Sequence, residues 1–194
     1  MSMAFDDTTE LSDAALLTLF ANGDKEASAV LTRRLVPVVL AHAFRLLGVR
    51  AEAEDVAQEA MLRLWKIAPE WRQGEAKVTT WLYRVTANLC TDKLRKRRSV
   101  PLESVAEPLD ESASVPEQMQ DKARMQALDD ALAQLPDRQR QAVVLRHIEE
   151  MQNPQIAEIM EISVEAVESL TARGKRALTK ALGMRQDELG YSDE

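Results

Sequence analysis

The sequence predicts an all-α fold built from two small helical modules. Ala, Leu, Glu, Arg and Gln, which favour helices, dominate the composition, whereas aromatic residues make up only 4% and glycines number 6. Apolar residues recur at spacings of three and four along most of the chain, which is the helical period. The period fails in one long stretch, residues 99–116, so the 194 residues are expected to form two modules joined by a linker.

The first module is predicted to begin with a short helix over residues 11–21 and a longer one over residues 26–47. Pro37 falls inside the longer helix, where it removes a backbone hydrogen bond, so a kink or break is expected near Leu35 and Val36. The buried side of this helix is predicted to carry Val30, Leu31, Leu35, Val38, Val39 and Leu46.

Two more helices complete the first module. Residues 52–67 form the third, which Pro69 ends, and Gly74 permits an irregular loop after it. Thr79 or Thr80 is expected to cap the fourth helix, which reaches about residue 97. The apolar stripe of that helix consists of Trp81, Leu82, Val85 and Leu89.

An acidic, flexible linker and a second set of helices follow. Three prolines and small or acidic residues fill residues 99–116, a composition typical of a linker. Helices are predicted over residues 118–134 and 137–149. The second module then ends in two helices that meet at a tight corner, the first capped by Asn153 with Pro154 in its first turn and the second capped by Ser163.

This corner is typical of a helix-turn-helix, in which the second helix lies across the major groove of DNA. Arg173, Lys175, Arg176 and Lys180 lie just beyond its apolar face, where cations can meet phosphates. A helical hairpin in an ordinary bundle is the alternative. The turn carries Met160 and Glu161 where glycine is frequent, so its backbone must avoid a positive φ or accept strain.

The charge of the chain is sorted along the sequence. The overall net charge is -7, but residues 84–98 carry +5 and residues 103–121 carry -6. Two basic segments separated by an acidic one favour two DNA contacts joined by a tether that DNA repels. A solvated charge run without a partner is the alternative.

Several functional classes receive little support. The single Cys90 excludes an internal disulfide and a thiolate metal site, and the residue is expected to be a small buried group. No apolar run is long enough to span a membrane, and the N-terminal segment is acidic where a signal peptide is basic, which predicts a cytoplasmic protein without membrane insertion. His42 and His147 lie in different predicted modules and no glycine-rich phosphate loop exists, so we expect no enzyme activity, no metal and no cofactor.

Four motifs in order resemble a bacterial RNA polymerase sigma factor of the extracytoplasmic-function (ECF) type. They are Ala53-Glu54-Asp55-Val56-Ala57-Gln58-Glu59, then Trp81-Leu82-Tyr83-Arg84 with Asn88 and Leu94-Arg95, then Leu135-Pro136 with Arg140, and finally Ile156-Ala157-Glu158-Ile159 with Ser163-Val164. The resemblance implies that core RNA polymerase, promoter DNA and an anti-sigma factor are the partners. It also implies a region 2-like domain in residues 1–98, a linker in 99–116 and a region 4-like domain in 117–194.

By this resemblance, the third helix docks on a coiled coil of the polymerase clamp. Acidic residues recur on one of its faces at spacings of three and four, which suits a basic partner, although a solvated acidic helix has the same pattern. The candidate polymerase-binding residues are Glu52, Asp55, Gln58, Glu59 and Leu62.

The loop after residue 70 and the fourth helix resemble the part of the family that captures and melts the minus-ten promoter element. Opening the duplex costs stacking energy, which a pocket for an extruded base and cations along the strand can offset. Asn88 is the first candidate for the pocket, and Trp71 is either a stacking platform or a lid over the core. The full candidate set is Trp71, Gln73, Lys77, Arg84, Asn88, Lys93, Arg95, Lys96, Arg97 and Arg98.

The last helix is expected to contact the minus-thirty-five element. It departs from the commoner family pattern because Glu168 and Leu170 stand where cations are usual. A carboxylate accepts a hydrogen bond from the amino group of cytosine, so Glu165 and Glu168 are candidates for base contacts. The candidate set is Glu165, Glu168, Ser169, Thr171, Arg173, Lys175 and Arg176. A DNA-binding regulator that acts without core polymerase remains the alternative function.

Overall fold

The computed structural model describes residues 11–72, 74, 77–99 and 116–183, and the side chains of residues 116–122 lie outside the description. Within these ranges the chain is helical and has no strand, which confirms the all-α prediction. The helices are α1 (Asp13–Ala21), α2 (Lys25–Leu47), α3 (Arg50–Ile67), α4 (Val78–Ser99), α5 (Pro116–Ala133), α6 (Asp137–Val143), α7 (Asn153–Met160) and α8 (Val164–Gly183).

These helices belong to two compact units. Within the described ranges, residues 11–44 and 50–95 form the first unit, and residues 45–49 and those from 96 onward form the second. Side chains from α1, α2, α3 and α4 form the core of the first unit. They include Leu16, Leu31, Leu64 and Leu82, none of which is more than 1% exposed.

Helix α2 bears on two predictions. It is continuous through Pro37, so it has no break there, and the buried Leu31, Leu35 and Val39 anchor it on both sides of the missing hydrogen bond. Val38, predicted to be buried, is 38% exposed because it lies one residue before the inward stripe. The other predicted core residues of this helix are buried.

The ends of the helices differ from the predicted ones by a few residues. Ser12 Oγ caps α1 by accepting a hydrogen bond from the Ala15 backbone N–H at 3.2 Å. Helix α4 begins at Val78, so Thr79 and Thr80 belong to its first turn and are not caps. Pro116 opens α5 and does not end the linker, as proline favours a first helical turn. The rest of the predicted linker, residues 100–115, lies outside the described residues.

The second unit has a smaller core, formed by Leu132, Leu135, Val143 and Val144. A π-helical turn over Val144–Ile148 follows α6, where one continuous α-helix was predicted. The buried Arg140 donates hydrogen bonds to the carbonyls of Leu132, Ala133 and Leu135, at 2.8, 2.8 and 3.1 Å, and so caps the end of α5.

Among the described residues, no helix combines the length and the apolar character that crossing a membrane would require. Within the same ranges, no group of three or more His, Cys, Asp and Glu side chains is placed to hold a metal ion. Cys90 is 1% exposed, as predicted for a small buried side chain.

Candidate functional site

One face of α3 carries all five candidate polymerase-binding residues. Their spacing of three and four places them on the same outward side of the helix, opposite the buried Val56, Ala60 and Leu64. Leu62 is 47% exposed, and it is one of three large apolar side chains that are exposed in the described part of the chain. We call this the α3 face: Glu52, Asp55, Gln58, Glu59 and Leu62.

The carboxylates of the α3 face already have cationic partners. Asp55 Oδ2 lies 3.1 Å from Lys93 Nζ on α4, and Glu59 Oε1 lies 2.8 Å from Arg63 Nε. The Asp55 side chain is nevertheless 69% exposed. An incoming cation can therefore reach it without disturbing the core, and exposed ion pairs of this kind contribute only about 0–1 kcal/mol.

An apolar groove of about 380 Å³ lies beside the α3 face, between α2 and α3. Gln58 and Leu62 belong to both the face and the groove, so the two form one continuous surface. The sequence did not predict the groove because its walls come from two helices. The adjacent apolar residues Met61 and Leu62 were the one sign of it in the sequence. The other lining residues are Val36, Leu40, Glu54, Ala57, Met61 and Trp65.

The exposed face of α4 carries Arg84, Asn88 and Arg95, which recur near the helical period. Arg98 is exposed on the same side of the helix, where it pairs with Asp137 of α6, and Lys96 is exposed at the margin of that side. Arg95 also pairs with Asp92 at 2.8 Å. We call the set Arg84, Asn88, Arg95 and Arg98 the α4 face.

Lys93 and Arg97 do not join the α4 face. Lys93 lies half a turn away from Arg84 and points toward α3, where it meets Asp55. Arg97 lies on the same side as Lys93 and is half-buried. The basic segment of the sequence is therefore divided between two sides of one helix.

The loop before α4 is described only in part. Lys77 is exposed, whereas Gln73 lies outside the described residues. Trp71 packs against the core of the first unit, and its ring stands perpendicular to that of Trp81 at a centroid distance of 6.1 Å. Its indole Nε1 is buried, which favours the lid interpretation of Trp71 over the stacking one.

The predicted helix-turn-helix consists of α7, a tight turn and α8. Gln152, not Asn153, is the cap of α7, and its backbone N–H donates to Gln155 Oε1 at 3.2 Å. Glu161 adopts the left-handed conformation with φ 53°, so the turn accepts the strain that the missing glycine implies. Ser163 Oγ caps α8 by accepting from the Ala166 N–H at 3.2 Å, as predicted.

Helix α8 separates its inward and outward side chains clearly. Val167 and Gly174 are buried, and the Thr171 hydroxyl is buried as well, so Thr171 does not join the other candidates on the surface. We call the remaining six residues the α8 face: Glu165, Glu168, Ser169, Arg173, Lys175 and Arg176.

Local hydrogen bonds hold two side chains of the α8 face. Arg173 donates to the Ser169 carbonyl at 3.2 Å and to Ser169 Oγ at 2.9 Å. The Glu165 carboxylate accepts from its own backbone N–H and from the Ser163 hydroxyl, and these bonds lower the pKa of Glu165. Glu165 is therefore ionised at neutral pH and takes part in the cap of α8.

Gly174 sets how closely α8 approaches α6. A Cβ atom at this position would lie 2.5 Å from Val143 Cγ2 and 3.1 Å from the Gln139 carbonyl oxygen. Only glycine fits this crossing without displacement of a neighbour. The packing therefore fixes which side of α8 faces outward.

Two family models match the chain: Sigma-70 region 2 over residues 31–100 and Sigma-70 region 4 over residues 125–178. The ECF RNA polymerase sigma factor SigW of Bacillus subtilis is 31% identical over 82% of this chain and 91% of its own length. The ECF RNA polymerase sigma factor SigM of Mycobacterium tuberculosis is 31% identical over 94% of this chain and 90% of its own.

Solved sigma factor structures share the fold. The sigma factor RpoE of Bartonella quintana, in complex with the anti-sigma factor NepR, matches with a TM-score of 0.63 and 23% identity over 78% of this chain and 94% of that one. CnrH, in complex with the cytosolic domain of CnrY, matches with a TM-score of 0.65 and 24% identity over 89% and 97%. Since the relatives match over nearly their whole length and both sigma regions are present, the chain belongs to the ECF family of RNA polymerase sigma factors.

Proposed function

We propose that the α3 face binds core RNA polymerase. The exposed Leu62 and the adjoining groove offer apolar area, and the carboxylates around them suit a basic partner. The ion pair of Asp55 with Lys93 would be exchanged for one with the polymerase. This exchange costs little because the pair is exposed.

The α4 face binds the opened strand of the minus-ten element. The observation that supports this assignment is the alignment of Asn88 with exposed arginines on one side of α4, turned away from Asp55. The Asn88 amide can both donate to and accept from a base, while Arg84, Arg95 and Arg98 follow the phosphates. Lys77 and Lys96 add positive charge at the margins, and Lys93 is left out of the strand contact.

The α8 face contacts the minus-thirty-five element in the major groove. Arg173, Lys175 and Arg176 flank the outward side and supply attraction to phosphates. The region 2-like domain then extends to Ser99 at the end of α4, the region 4-like domain begins at Pro116 at the start of α5, and residues 100–115 are the linker.

In this scheme the protein delivers polymerase to promoters and catalyses no step itself, because bond formation belongs to the polymerase. It works in the cytoplasm, where the polymerase and its promoters are. An anti-sigma factor controls it by covering these faces, as suggested by the solved relatives that carry such partners.

Replacement of two exposed amides tests whether the two faces have separate partners. Asn88→Ala is expected to lower transcription from a duplex promoter about 5- to 10-fold, the effect of a lost hydrogen bond, with polymerase binding unchanged. Gln58→Ala is the matched control and is expected to weaken polymerase binding, with strand binding unchanged. Promoters come from sequencing the transcripts that the wild-type holoenzyme makes.

Equal loss of transcription and polymerase binding in Asn88→Ala would contradict the strand-binding role of this residue. Duplex binding by the chain without any effect on polymerase would support the alternative of a regulator that acts alone.

A further inference from the structure

The α8 face contains two carboxylates one helical turn apart, and the structure gives them different environments. Glu165 lies in the first turn of α8, where it accepts hydrogen bonds from its own N–H and from Ser163. These contacts and the positive end of the helix dipole account for an acidic residue at that position. Glu165 therefore has a structural role in the cap.

Glu168 has no such local role. It is exposed, lies beyond the first turn, and forms no ion pair within the part of the chain that the structure describes. The nearest cation toward the C-terminus on α8 is Arg173, five residues on, which is outside the spacing that brings helical side chains together. Ser169 holds that arginine instead.

An unpaired carboxylate on a helix that faces DNA can make favourable contacts with only some groups of the DNA. Phosphate repels it, so its favourable contact lies in the groove, at a base edge that donates a hydrogen bond. Guanine and thymine offer only acceptors in the major groove. Adenine places an acceptor beside its donor, whereas the N4 amino group of cytosine is a donor without an adjacent acceptor.

We propose that Glu168 is a specificity-determining residue that selects a cytosine in the upstream promoter element. The inference rests on the proposed binding of α8 to that element. It assigns Glu168 to base recognition and Glu165 to the helix cap, although the sequence presents the two as equivalent.

Selection from a randomised duplex library tests this role. Holoenzyme assembled from core polymerase and the full chain selects its upstream element, and the affinity is then measured for duplexes that differ at one base pair. The wild type is expected to prefer one C·G pair about fivefold or more over T·A or A·T. Glu168→Gln should lose that preference or move it to A·T, since glutamine pairs with adenine.

Glu158→Gln is the matched control, because Glu158 is exposed on α7 and the change in charge is the same. It should keep the cytosine preference. Circular dichroism shows whether each variant is folded. If Glu168→Gln tightens binding to every duplex by the same factor, Glu168 acts only by repulsion, and the inference is wrong while the proposed function stands. A wild-type holoenzyme that selects no upstream element would overturn both.

Discussion

Lys93 shows how a residue's role depends on the helix face and not on its neighbours in the sequence. It belongs to a segment of net charge +5, so counting charge predicts a phosphate contact. Nine residues after Arg84 it lies on the other side of α4, and its ammonium meets Asp55 at 3.1 Å. The ion pair joins α3 to α4, and under the proposed function strand binding is left to the arginines of the α4 face.

The salt dependence of strand binding separates Lys93 from Arg95. Each phosphate contact contributes about 0.7 to the slope of log K against log salt for single strands, so Arg95→Gln should reduce the slope by about that amount. Lys93→Gln removes the same charge and should leave the slope unchanged. Titration of a single-stranded oligonucleotide at several salt concentrations gives the slope for each variant. An equal reduction of the slope in the two variants would show that Lys93 also contacts the strand.

At the scale of elements, helical period and caps predicted the existence and type of every described α-helix. Ser163 was correctly predicted as a cap because a hydroxyl before an apolar stripe has a defined partner, the Ala166 N–H. The π-helical turn after Val143 could not be predicted from the helical period, whereas the left-handed Glu161 is one of the two outcomes that the missing glycine implied. The continuity of α2 at Pro37 shows that a proline inside a helix does not by itself end the helix.

At the crossing of α6 and α8, a single added carbon atom creates a clash. Gly174→Ala gains about 0.5–1 kcal/mol of helix propensity but forces a Cβ against Val143, a β-branched side chain with one strongly preferred rotamer in a helix. Overpacking costs about 1–3 kcal/mol, so the net effect should be a loss of about 1 kcal/mol in the free energy of unfolding.

Chemical denaturation measures this effect, and Gly183→Ala is its control. Gly183 has nothing within 4 Å of an added Cβ, so that variant should not be destabilised. A Gly174→Ala protein as stable as the wild type would show that α8 can move away from α6, and that its outward face is not fixed by this contact.

At the scale of the whole molecule, the order of motifs was enough to identify the family, and the two sigma regions match where the motifs lie. The contacts that distinguish the separate faces were harder to predict from the sequence. The sequence predicted an acidic face on the third helix and a basic segment at the end of the fourth, but only the structure shows that Asp55 pairs with Lys93 and that the groove by Leu62 spans two helices. These features depend on contacts between residues far apart in the sequence, which periodicity does not report.

The positions at which transcripts begin test the central claim most directly. Core polymerase with the full chain is predicted to start at a small set of defined sites, each preceded by two sequence elements shared among the sites, and core polymerase alone should not use them. The same set of transcripts with and without the chain, while the chain stays folded and helical, would contradict the account.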